Sequence, residues 1–111
     1  MNKKYYVNNG YNKRVLTAKS AKDATIIVLK ELLGNDPDGK ENCELYPYSV
    51  VSEYGFVQDI LAIGNYDELD KCAYFKTSKI MASLGRKDIA THLEEFEKTL
   101  PQDVRKILKA M

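Results

Sequence analysis

The chain has no tryptophan, one histidine, two cysteines and three prolines in 111 residues. Cys43 and Cys72 lie too far apart for a CxxC redox or zinc motif and are too few for a disulfide scaffold, so both are expected as free thiols. With His92 as the only histidine, a metal centre would need carboxylates, and Asp88 and Glu95 do fall on its side of a helix at i−4 and i+3. The same spacing is the ordinary product of an exposed, charge-laced helix, and His92 reads as a surface residue. No stretch approaches the roughly 18–20 apolar residues that span a bilayer, and MNKKYYVNNGY lacks the apolar segment of a signal peptide. The expected location is the cytoplasm, with no membrane contact. Catalytic signatures and cofactor loops are missing too, so neither an enzyme nor a cofactor is expected.

What the chain does have is an uneven charge layout. Residues 1–33 carry seven Lys/Arg against two acids, 34–70 one against nine, and 71–111 nine against five, within a formal net charge of +1. Such asymmetry steers a charged partner or holds a domain together. With 44% hydrophobic and 30% charged residues, the composition is that of an ordinary globule. At this length one domain, 1–111, can bury roughly 65% of its unfolded surface. The eight tyrosines accompany fourteen lysines and seven asparagines, a set favoured by AT-rich codons, though some tyrosines are candidates for a contact patch.

The pattern predicts an α+β fold. Residues 5–17 read as a β-hairpin, with Asn9-Gly10 suited to a two-residue type I′ turn. That turn sets Asn8 opposite Tyr11, Tyr6 opposite Lys13 and Tyr5 opposite Arg14. Tyr5, Val7 and Leu16 share one face, Tyr6, Tyr11 and Val15 the other, and the two compete nearly evenly for burial. Ser20 with Asp23 three residues on resembles a capping box opening a helix over 21–33, stopped by Gly34. Its stripe is Ala24, Ile27, Val28 and Leu32, widened by Ile26, Leu29 and Leu33. A polar, turn-rich loop follows at 35–42. Strands are expected at 48–54, 57–63 and 72–76, then three short helices: one capped by Thr77 or Ser78 and ending at Leu84-Gly85, one over 88–99, and a last one opened by Pro101. The fold is thus an antiparallel sheet opened by the hairpin, with one main helix packed on it and short C-terminal helices.

Local motifs add little. Asp36-Pro37-Asp38-Gly39 resembles a calcium loop, but Gly34 would fall at the first ligand position and Leu45 at the twelfth, where a bidentate Glu is required. The run 80–93 loosely resembles a helix-turn-helix, yet its second helix carries Glu94, Glu95 and Glu97, which repel phosphate; an ordinary helical hairpin is the simpler reading.

Two surfaces remain. The acidic segment, with Asp36, Asp38, Glu41 and Glu44 beside Tyr46 and Tyr48, suits docking onto a protein with a basic surface, and complementary charge mainly speeds encounter and sets partner choice. The hairpin interleaves Lys4, Lys13 and Arg14 with Tyr6 and Tyr11, where cations follow phosphates and rings stack on bases. The expected function is a non-enzymatic protein-interaction or regulatory module, such as a small inhibitor or accessory protein of a phage or mobile element. The alternatives are a nucleic-acid-binding module using the hairpin, or an enzyme without a recognisable motif.

Overall fold

The computed structural model describes residues 2–9, 12–35, 46–56 and 72–110. They form an α+β fold: β1 (Lys3–Asn8), β2 (Lys13–Ala18), α1 (Ala21–Asn35), β3 (Tyr48–Ser52), β4 (Cys72–Lys76), α2 (Thr77–Ser83), α3 (Lys87–Glu97) and α4 (Gln102–Ala110). The strands make one antiparallel sheet in the order β2-β1-β3-β4. The strand expected at 57–63 lies outside the described residues.

The hairpin forms, but its register differs from expectation by two residues. Asn8 faces Lys13, Tyr6 faces Val15 and Tyr5 faces Leu16. The cause is local. Asn9 does not sit within the turn: its N–H donates to the Asn12 carbonyl at 3.1 Å, and its side-chain Oδ1 accepts the Asn12 N–H at 2.7 Å. Asn9 and Asn12 therefore close the ladder as a pair, an asparagine side chain doing the work of a carbonyl. Because side chains alternate with period two, a shift of two leaves every described residue on its expected face.

One face of the sheet buries Tyr5, Val7, Ala18 and Val51 against Ala24, Val28, Leu29 and Leu32 of α1, with Ile80 and Met81 of α2 and Ile89, Ala90 and Leu93 of α3 in the same cluster. Ser20 caps α1 through its Oγ, which accepts the Asp23 N–H at 3.1 Å. The helix continues through Gly34 to Asn35 rather than stopping before the glycine. Its buried stripe differs from the expected one: Thr25 is buried and Ile27 is 47% exposed.

Among the described residues, helix α4 covers the opposite face over half its width. Val50, the neighbour of Val51, points the other way and joins Tyr48, Leu100, Val104 and Leu108 in a second cluster, flanked by Tyr74, Phe96 and Ile107. Helix α4 thus packs on β3 and β4. Every residue of β3 is buried, whereas β2 alternates and exposes Lys13, Val15 and Thr17. Helix α3 feeds Leu93 to one cluster and Phe96 to the other, so it sits where the two meet.

Candidate functional site

Among the described residues, the half of the second face that α4 does not reach is built by the hairpin. Lys4, Tyr6 and Asn8 alternate along β1, and their partners Thr17, Val15 and Lys13 on β2 present the same side. Val15 is 47% exposed and Tyr6 half-buried. The turn after β3 adds a second ring. Ser52 Oγ accepts the Tyr54 N–H at 3.1 Å, and Gly55 adopts φ +136°, a conformation that side-chain-bearing residues rarely take. This bend sets the Phe56 ring 5.2 Å from that of Tyr6 at 85°, an edge-to-face pair.

A lysine lies over each ring: Lys4 Nζ is 5.2 Å from the Tyr6 centroid and Lys13 Nζ 5.9 Å from that of Phe56. Exposed cation–π contacts of this kind contribute only about 0.5–1 kcal/mol, so either ammonium can be drawn away by a stronger partner. Neither lysine is ion-paired among the described residues. No acid lies among the residues of β1 and β2 facing this way. The patch is therefore cationic and aromatic, about one hairpin wide.

The hairpin residues expected to meet nucleic acid separate in the fold. Lys4, Tyr6 and Lys13 converge on the patch. Arg14 does not: it faces Val7 across the ladder and so points to the α1 side, where its Nε lies 4.0 Å from Glu31 Oε1. Tyr11 lies outside the described residues. Val15 and Phe56 belong to the patch although neither was expected as a contact residue; Val15 shares the Tyr6 face as the hairpin pattern predicts, and Phe56 joins it only through the chain's return over the sheet.

The expected protein-docking residues fare differently. Asp36, Asp38, Glu41 and Glu44 lie outside the described residues. Tyr48 is fully buried, a correction to its expected place at a contact surface: it faces α4 from the strand covered on both sides. Tyr46 is half-buried, its ring 5.1 Å from that of Tyr48 and 5.5 Å from that of Phe96. Tyr48 is thus a core residue, and Tyr46 packs against the edge of the second cluster. Of the nine acids in 34–70, only Glu53 is described, and the described residues carry fifteen Lys/Arg against eight Asp/Glu.

On the α1 side a cleft of about 640 Å³ is lined by Tyr5, Val51, Tyr54 and Ala73, with Glu53 as its carboxylate. Glu53 is already engaged by Lys3 at 3.4 Å. Cys72 is a free thiol whose S–H donates to Tyr74 Oη at 3.3 Å. His92 is exposed on α3, and no group of three or more potential metal-binding side chains occurs among the described residues. Nor is any described helix long and apolar enough to cross a membrane. No protein-family model, curated protein or solved structure matches the chain.

Proposed function

We propose that this protein is a small non-enzymatic binding module whose contact surface is the uncovered half of the sheet, with Lys4, Tyr6, Lys13, Val15 and Phe56 as its working side chains. The observation that carries this reading is the pairing of two rings with two lysines on a sheet face that α4 leaves open. Aromatic side chains that are amphipathic and rigid supply contact area at low entropic cost, and flexible lysines at the rim add charge that steers encounter. A regulatory or accessory role in the cytoplasm fits such a module. The acidic segment is the second surface proposed from the sequence, for a protein with a basic face.

The test is affinity capture from a cell extract, with and without nuclease, comparing the wild-type chain with a Lys4→Glu/Lys13→Glu variant. Both lysines are exposed, so the variant is expected to fold normally, which a thermal melt checks. Capture of a macromolecule by the wild type and its loss in the variant supports the reading. A partner retained in full by the variant places the contact elsewhere.

A further inference from the structure

We infer that the ligand of this surface is single-stranded nucleic acid, with bases stacked on the Tyr6 and Phe56 rings and phosphates held by Lys4 and Lys13; this rests on the surface assignment proposed above. Three features of the patch point to this occupant. Among the described residues its charge has one sign, with lysines and no acid on the outward side of the hairpin, which complements a polyanion. Its rings stand at 85° to each other, a geometry that suits bases unstacked from one another rather than a continuous stack. Finally, the lysines already occupy positions over the ring centroids at 5.2 and 5.9 Å.

The last feature supplies the exchange that binding requires. A base stacking on either ring displaces an ammonium held only by an exposed cation–π contact, and base stacking is the stronger of the two interactions. The displaced ammonium sits on a flexible four-carbon stem and swings to the adjacent phosphate. Tyr6 is the central element, because it makes a T-shaped contact with Phe56, lies under Lys4 and pairs with the exposed Val15 across the ladder. Duplex fits less well, because its bases are already stacked on one another and are not free to lie on the two rings.

The experiment is fluorescence anisotropy of labelled single-stranded DNA and RNA of about ten nucleotides, with a duplex of the same sequence, between about 50 and 200 mM salt. The expected result is binding of single strands in preference to duplex. Tyr6→Leu lowers affinity about tenfold or more, whereas Tyr6→Phe, which keeps the ring, retains it. In the Lys4→Glu/Lys13→Glu variant the slope of log affinity against log salt becomes shallower by about 1.4, at roughly 0.7 per lost single-strand phosphate contact. Melting midpoints of each variant separate loss of contact from loss of fold. Absence of binding at the lowest salt, equal binding of duplex, or affinity unchanged by Tyr6→Leu overturns the ligand assignment. If no oligonucleotide binds but a protein is captured and lost on lysine reversal, the ligand class is wrong and the surface stands. If the reversal variant binds oligonucleotides as the wild type does, the surface itself is wrong.

Discussion

Lys76 and Glu97 close an ion pair where the sheet passes into the helices: Nζ lies 3.3 Å from Oε2, with the side chains only 18% and 14% exposed. Ser78 donates its hydroxyl to the other oxygen, Oε1, at 3.3 Å. One carboxylate of α3 therefore ties down both the end of β4 and the first turn of α2. Removing it strands a largely buried ammonium and a buried hydroxyl together. Glu97→Ala is expected to destabilise by about 1–3 kcal/mol, a fall in melting midpoint of roughly 4–15 °C for a chain this size. Circular dichroism during heating measures it, and an unchanged midpoint would show the pair to be incidental.

The cap of α1 is a second local test. Ser20 Oγ satisfies the Asp23 N–H, one of the donors that a helix leaves unpaired at its start. Ser20→Ala is expected to cost about 1 kcal/mol and Ser20→Asp to retain most of the stability. Urea denaturation of both variants compares them directly.

Two glycines should respond to alanine in opposite directions. Gly85 holds φ +81° just past α2, where its N–H bonds the Ala82 carbonyl and the Arg86 N–H bonds that of Met81, at 3.1 and 2.9 Å. This is the Schellman closure, which needs a left-handed residue. A Cβ there meets no atom within 4 Å, so the expected loss of about 1–2 kcal/mol for Gly85→Ala is backbone strain alone. Gly34 lies inside α1 with equally open space around it, and Gly34→Ala is expected to stabilise by about 0.5–1 kcal/mol. Chemical denaturation of the pair decides whether conformation or crowding governs each position.

Asp88 titrates below the ordinary aspartate range, because the Arg86 side chain hydrogen-bonds its carboxylate and the Ile89 N–H adds to the effect. The guanidinium reaches both oxygens at 3.2 Å. A depressed folded-state pKa contributes stability above the unfolded value that is lost as pH falls through the folded one. The carboxyl is exposed, so the expected effect on stability is small and confined to acid pH. Arg86→Gln should move the Asp88 midpoint upward in a carbon-detected NMR titration; a midpoint that stays put would remove the guanidinium as its cause.

Much of the fold was legible residue by residue. Ser20 and Asp23 announced α1, the apolar spacing of Ile89 and Leu93 announced α3, and the strand at 72–76 stands where β-rich composition put it. These signals are local: a cap, a period and a propensity act within a few residues. The hairpin register was not legible, because the same Asn9 suits a place within the turn or the pair that closes it, and the Asn12 partner decides between them. Tyr48 read as surface for a similar reason, since an aromatic on an alternating strand looks identical whether α4 covers it or not.

By itself the sequence determined which segments become helix or strand, and which hairpin residues share a side, because backbone periodicity and capping depend on neighbours in the chain. Only the tertiary structure decided which side is covered. Helix α4 packs its Val104 and Leu108 on Tyr48 and Val50, and the turn at Gly55 brings Phe56 back over Tyr6. Burial is a contest between faces of nearly equal apolar content, and it is settled by where distant helices come to rest.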